Sequence, residues 1–203
     1  MPNGIYSAMT GALAQEEHLD ILANNLANGS TNGFKGVQAT FKELMDEARD
    51  GTNNETQRHV VLDSTFTDFS QGPLQHTHNK MDVAIQGEGF FVVDTPEGPG
   101  YTRNGSFMLN DKRQLTTVSG EVLQGTSGPI EVPEGAVINI NQSGAVTSGP
   151  LEIGKIRVVK FDDPQSLNRI GHNLYGAPEG LDAVDVEQVS VQTGAIERSN
   201  VNM

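Results

Sequence analysis

The sequence predicts a mainly β protein led by one long α-helix, and three observations predict it. Ile5, Ala12, Leu19 and Leu26 fall seven apart, with Ala8, Gln15 and Leu22 three beyond the first three of them. That is the a/d seam of a coiled-coil-type helix. From Met81 onward the pattern changes to short β-branched or alternating segments separated by Gly, Pro, Asn and Asp. Strands at that spacing, without intervening helices, favour an antiparallel β sandwich or a partly open barrel. At 203 residues, with 35% hydrophobic but only 5% aromatic content, the chain is long enough for a sizeable core built mainly of Val, Ile and Leu.

The helix is expected from about Asn3 to Asn28, a length of about 36 Å at 1.5 Å per residue. Met9, Leu13 and Ala23 widen its stripe, and Glu16, Glu17 and Asp20 supply its wet side. Asn28-Gly29 then stops it, since both residues tolerate the left-handed conformation that caps a helix. A lone helix is marginal in water, and Ile5, Leu19, Leu22 and Leu26 would each gain roughly 1.5 to 3 kcal/mol from burial. The seam rests on this protein's own core or on a partner from outside it. Only one further helical run is expected, VQATFKELMDEARD from Val37 to Asp50.

Residues 51–80 read as an extended linker or a pair of edge strands. In the body, DVAIQGEGFFVVD sets Gly87 and Gly89 between two apolar runs, YTRNGSFML and QLTTVSG flank an Asn110-Asp111 turn, and PIEVPEGAVINI with GAVTSG reads as successive hairpins. Further strands are expected at Lys155 to Phe161, Asn173 to Tyr175 and Val184 to Ile196. The organisation is thus a leading segment 1–34, a connecting region 35–80, a β-rich body 81–193 and a closing segment 194–203.

Lys and Arg total 13 against 26 Asp and Glu, a formal charge of -13. Such a chain repels a phosphate backbone and an anionic membrane surface, so nucleic acid is not an expected partner. Cysteine is absent, which removes disulfides, thiolate metal sites and cysteine nucleophiles. No apolar run approaches the ~18 residues of a membrane helix, so membrane insertion is not expected. Ala12-Leu13-Ala14 imitates a signal-peptidase site but lacks the basic and apolar flanks of a leader. Export, if it occurs, is expected to retain the N-terminus.

Candidate chemistry is sparse. Gly87-Glu88-Gly89 lacks the third glycine and following helix of a dinucleotide cradle and reads as a bulge or hairpin. His76 and His78 would share a strand face, with His59 as a third imidazole, but no carboxylate or further His stands at a supporting spacing. Asp162-Asp163-Pro164 reads as a loop rather than as paired acid-base carboxylates. Ser106, Ser119 and Ser143 sit beside glycine in turns, outside any nucleophile elbow. No catalytic, cofactor-binding or metal residue is therefore assigned, and no enzyme activity is expected.

ANNLANGSTNGFK (Ala23 to Lys35) resembles the N-terminal signature of flagellar basal-body rod and hook proteins. MDVAIQGEGFFVV followed by YTRNGSF resembles the body of the rod subset, and GAIERSNVNM (Gly194 to Met203) resembles the segment returning towards a terminal helix. The matches follow the family's order from end to end. The opening NGIYSAMTGALAQ and the compact body look more like the proximal-rod branch than the longer distal-rod branch.

The resemblance implies an axial structural protein, exported unfolded by the flagellar type III apparatus and polymerised with other rod subunits into the rod that crosses the periplasm. It implies terminal helices packed as coiled coils, with an outward β domain. The assembly surface is then expected at Ile5, Ala8, Ala12, Leu19, Leu22, Leu26, Asn28 and Phe34, with Asn24 and Asn25 either offering amide hydrogen bonds to neighbours or forming no more than a frayed helix end. The family continues into a C-terminal helix, whereas this sequence stops at Met203, so that partner helix is absent from it. The leading helix is accordingly expected to be disordered, to pack on another chain, or to fold back on another surface. Competing readings are a distal-rod or hook-type axial protein, a secreted β-rich module for carbohydrate or peptidoglycan, and, last, an enzyme using His76 and His78. The binding module is disfavoured by the absence of Trp and the presence of three Tyr.

Overall fold

The computed structural model describes residues 2–47 and 56–202, with side chains over 8–42 and 60–202. The Ile5 side chain and the end of the expected second helix, 48–50, lie outside the described residues, as does the His59 side chain. The chain divides into two compact units, Met1–Gly29 with Gly36–Asp68 and Val201–Met203, and Ser30–Lys35 with Phe69–Asn200.

The first unit holds α1 (Pro2–Ala27) and a long hairpin of β1 (Val37–Glu47) and β2 (Thr56–Thr67). The helix is the one expected. The second helix is not, because Val37–Glu47 is a strand. Its antiparallel register with β2 runs from Val37 opposite Thr67 to Glu47 opposite Thr56, interrupted by a bulge between Thr40 and Phe41. Lys42, Glu43, Leu44 and Met45 are good helix formers, but propensity is a weak prior. The β-branched run from Val60 to Thr67 supplies a strand partner that satisfies the backbone of both segments. Residues 56–67 thereby realise the edge-strand alternative for the connecting region.

Helix α1 lies along this hairpin. Ala14 is buried, and Thr10, Gly11, His18, Ile21, Asn25 and Asn28 are half-buried. These positions recur at four- and three-residue steps, so they form one face. His18 meets the Phe41 ring edge-on at 5.4 Å between centroids. Of the three fates expected for the helix, folding back on another surface is the one seen.

The second unit consists of short strands joined by turns and loops, and its one helical element is a 3₁₀ turn, Pro164–Ser166, in the Asp162-Asp163-Pro164 loop. Its elements are β3 (Leu74–His76), β4 (Val83–Ile85), β5 (Phe90–Thr95), β6 (Gly98–Thr102), β7 (Phe107–Leu109), β8 (Leu115–Thr117), β9 (Val122–Gly125), β10 (Gly128–Pro129), β11 (Ile138–Ile140), β12 (Ala145–Ser148), β13 (Leu151–Lys155), β14 (Val158–Lys160), β15 (Asn168–Gly171), β16 (Leu174–Gly176), β17 (Val184–Asp185), β18 (Val191–Thr193) and β19 (Ala195–Glu197). The main sheet runs β15-β16-β6-β5-β9-β8-β7, joined by β14, β17 and β10, and a separate three-stranded sheet runs β11-β12-β13. All pairings are antiparallel and the sheets are open, with no closed barrel among the described residues.

Strand β5 organises the packing. Its Phe90-Phe91-Val92-Val93 run does not alternate in polarity because both faces are covered. Phe91 and Val93 enter a core with Val83, Ile85, Leu115, Leu123, Val146 and Ile156, whereas Phe90 and Val92 enter a second core with Tyr101, Val159, Phe161 and Tyr175. Edge-to-face contacts of Phe90 with Phe69, Phe161 and Tyr175 bind the second core, all within 5.9 Å between centroids. Gly87 and Gly89, at φ +92° and +133°, make the turn that separates β4 from β5.

Candidate assembly interface

The heptad seam of α1 is uncovered. Ala8, Ala12, Leu19, Leu22 and Leu26 are all exposed, with Leu19 at 55%, Leu22 at 48% and Leu26 at 65%. Met9 and Leu13 extend the apolar surface. At 100° per residue this stripe lies roughly a third of a turn round the helix from the face that rests on the hairpin. The helix therefore has two distinct faces. One, mostly of small and polar residues with Ile21 among them, packs within the unit, and the other carries the leucines.

The asparagines divide in their use. Asn24 is exposed, and its carbonyl accepts both from the Asn28 backbone N–H at 3.2 Å and from the Asn28 side-chain amide at 3.0 Å. Asn28 thus closes the helix on itself. Asn25 uses both ends of its amide on one residue: Nδ2 donates to the Val37 carbonyl at 2.7 Å and Oδ1 accepts from the Val37 N–H at 2.9 Å. This clamp ties the last turn of α1 to the first residue of β1, across eleven intervening residues. Asn25→Ala removes two such bonds at about 0.5 to 1.5 kcal/mol each. Faster amide exchange at Val37, with urea stability of the first unit lowered by about 1 to 3 kcal/mol, is the expected result.

Phe34 is buried in the second unit, with the Arg169 guanidinium 5.0 Å from its ring centroid. Beside it lies a cluster that sequence reasoning missed. Lys35 and Glu197 are both fully buried and form an ion pair. The same Glu197 Oε1 accepts from the Gly72 N–H at 2.9 Å, and Lys35 Nζ also donates to the Ser70 carbonyl at 2.6 Å. Arg103, 4% exposed, brings Nη1 to 3.5 Å from Glu197 Oε2 and donates from Nη2 to the Gly87 carbonyl at 2.7 Å. Burial pulls the Arg103 guanidinium below its ordinary value, against the opposing effect of the Glu197 and Glu88 carboxylates. Gly33, at φ +68°, has Asn104 N only 2.4 Å from where a Cβ would stand, so the signature approaches the body as bare backbone. Lys35 and Glu197 are 162 residues apart, and no periodicity links them. A charge at the end of an otherwise apolar-polar turn signature was the only available sign.

The other motifs have local roles. Asp163 caps the 3₁₀ turn through the Gln165 N–H at 3.1 Å and the Ser166 hydroxyl at 2.6 Å. His76 Nε2 lies 3.2 Å from the Gln192 amide, and His78 sits in a left-handed turn at φ 63°. A cavity of about 470 Å³ is lined by Phe69, Phe90, Phe161, Arg103, Lys160 and Asp162, among others; Arg103 Nη2 donates to the Gly87 carbonyl and Nη1 lies 3.5 Å from Glu197 Oε2, while its buried Nε has no hydrogen-bond partner among the described residues. Among the described residues no group of three or more His, Asp or Glu is placed to hold a metal, and no helix is long and apolar enough to cross a membrane.

A leading helix that packs one face within its unit and leaves an apolar stripe exposed, beside a β body, has the features of a subunit that assembles. Two family models match in the corresponding places, the flagella basal body rod protein model over residues 5–35 and the flagellar hook protein FlgE/F/G D1 domain over residues 84–148. The chain is similar to the flagellar basal-body rod protein FlgG of Borreliella burgdorferi, 34% identical over 200 residues that cover 89% of this chain and 75% of the relative. It is also similar to FlgF of Caulobacter vibrioides, 31% identical over 99% of this chain and 83% of the relative, and to FlgG of Bacillus subtilis, 30% identical over 100% and 86%. The chain belongs to the flagellar basal-body rod protein family. It is a structural subunit of the rod, located in the basal body, where it assembles with other rod components.

Proposed function

We propose that this subunit polymerises through the seam of α1, with Ile5, Ala8, Ala12, Leu19, Leu22 and Leu26 seated against helices of neighbouring rod subunits. The observation that carries this is the uncovered leucine stripe on a helix whose other face already rests on the hairpin. Each leucine buried between subunits would contribute roughly 1.5 to 3 kcal/mol, enough in combination to hold a tube together. Asn25 and Phe34 then serve assembly indirectly. Asn25 fixes the angle at which the helix meets β1, and Phe34 anchors the loop that leaves it.

In this reading residues 1–34 assemble, the body supplies bulk and rigidity, and the protein has no catalytic role. Its place is the proximal rod, and it reaches the rod through the flagellar export apparatus with its N-terminus retained. The compact body supports the proximal position, and copurification with proximal rather than distal neighbours tests it.

Because residues 1–203 contain no cysteine, a single Leu22→Cys substitution gives a clean cross-linking probe. Oxidation of isolated basal bodies should yield a cross-linked product with a second cysteine placed on a neighbouring rod helix, and the monomeric protein should give none. Absence of the product across a scan of neighbouring helices would contradict the interface.

A further inference from the structure

We infer that the β bodies of successive copies join head to tail, with the Pro96-Glu97 hairpin tip of one copy seated in the aromatic cavity of the next. The inference goes beyond the assembly reading, in which the body supplies bulk and rigidity, and it rests on membership of the rod family rather than on the seam of α1. Strand β5 sets the geometry. Phe90, its first residue, lines the cavity of about 470 Å³, together with Gly87, Glu88 and Gly89 just before it. Antiparallel β14 ends at the same place, since Val159 lies opposite Phe90, and Lys160, Phe161 and Asp162, which follow, line the cavity as well. At the other end of β5, Thr95 pairs with Gly98 of β6, so Pro96 and Glu97 are the two-residue turn between the strands. Cavity and tip thus stand at opposite ends of one strand, as a head-to-tail contact between copies requires. Contacts of that kind repeat into open helical filaments when the rotation does not close.

The two surfaces match in chemistry. Phe69, Phe90 and Phe161 form an apolar wall, with the Phe90 ring 5.5 Å from that of Phe69 and 5.9 Å from that of Phe161 between centroids. Arg103, 4% exposed, lines the cavity with a buried Nε that has no hydrogen-bond partner among the described residues, and exposed Lys160 adds a second cation. The carboxylates of Glu88 and Asp162 line it too, so the site carries both signs and suits a group that is at once acceptor and donor. The tip is such a group. Pro96 and Glu97 are both exposed, and among the described residues Glu97 has no ion pair on its carboxylate and no hydrogen bond from its N–H. In the docked pair the Pro96 ring lies on the aromatic wall, the Glu97 carboxylate accepts from Lys160 on the side of the Arg103 charge, and the Glu97 N–H turns to the Asp162 or Glu88 carboxylate. A cavity of this size falls within the roughly 300–1,000 Å³ of sites that seat small groups. Proline fixes φ in the turn, so the tip is preformed and loses little entropy on docking.

Pro-Glu-Gly recurs at Pro133-Glu134-Gly135 and Pro178-Glu179-Gly180, but neither turn is equivalent. The Pro133 carbonyl already accepts from Arg113, and Pro178 is half-buried, with its carbonyl accepting from the Leu181 N–H at 3.2 Å.

The test is disulfide trapping in rods. Cells lacking the natural protein express the chain with Glu97→Cys/Lys160→Cys, and isolated basal bodies are oxidised and run on a non-reducing gel. Disulfide-linked dimers and higher oligomers of the chain are expected. Glu97→Cys alone, Lys160→Cys alone and Glu134→Cys/Lys160→Cys should give monomers, because the contact joins unlike surfaces and uses one of the three Pro-Glu-Gly turns. Monomers alone from the first chain, or an equal ladder from the Glu134 pair, would overturn the inference. Where the cysteine pair keeps the chain out of rods, charge exchange decides. Glu97→Lys and Lys160→Glu should each reduce the chain recovered in basal bodies by about tenfold, and Glu97→Lys/Lys160→Glu should restore most of it. Loss without restoration, or no loss from either single change, would overturn it equally. A negative result beside a positive Leu22→Cys product removes the tip contact and leaves the seam in place.

Discussion

Glu197→Ala lowers the unfolding free energy of the protein by about 3 to 5 kcal/mol, because removing one member of a buried ion pair takes away the attraction that offsets the desolvation of both. The total stability of a domain is about 5 to 15 kcal/mol, so the loss is a large fraction of it. Most of the loss comes from the lost Lys35–Glu197 contact and the Gly72 N–H that loses its acceptor, with a further share from Arg103, whose Nη1 lies 3.5 Å from Glu197 Oε2. Glu197→Gln is milder, since an amide oxygen still accepts from Gly72. Urea unfolding near neutral pH, followed by a probe in the β body, measures both. Equal stabilities for Glu197→Ala and the natural chain would mean that the cluster is hydrated and its charges do not matter.

Leu19→Lys/Leu22→Lys abolishes rod incorporation while leaving the folded subunit intact. Both leucines are exposed, at 55% and 48%, and exposed substitutions away from special features usually stay within about 0.5 kcal/mol. At an assembled interface the same changes remove roughly 1.5 to 3 kcal/mol of burial per leucine and place two ammonium groups in an apolar seam. A loss of about 3 to 6 kcal/mol per contact reduces an association constant by about two to four orders of magnitude. Motility in soft agar, with immunoblots of purified basal bodies, reads the assembly effect. A urea curve superimposable on that of the unsubstituted chain shows that folding is spared. Normal rods from the doubly substituted chain would remove the seam from the interface.

The sequence was most readable where one physical rule governed a whole segment. The heptad spacing from Ile5 to Leu26 predicted α1 to within a residue or two of its ends, since Asn28-Gly29 admits few alternatives to a stop. Gly87 and Gly89 were read correctly as a turn because nothing around them suited a phosphate cradle. The run from Val37 was misread because Lys42 to Glu47 carries good helix formers. Its strand state depends on β2, whose pairing no local window contains.

The site divides in the same way. Leu19, Leu22 and Leu26 were legible as an unsatisfied stripe, whereas the clamp from Asn25 to Val37 needs the exact path of the intervening loop. Lys35, Arg103 and Glu197 were illegible as a cluster. Each looks like an ordinary surface charge until the fold brings segments 30–35, 70–76 and 191–200 together, and only burial distinguishes them from the other charged residues.

The most direct test of the assembly account is to express, in cells lacking the natural protein, a chain without residues 2–27 and to isolate basal bodies. The account predicts a soluble β body that is absent from the rod fraction and cells that do not swim. Rods of normal composition containing the shortened chain, in motile cells, would contradict it.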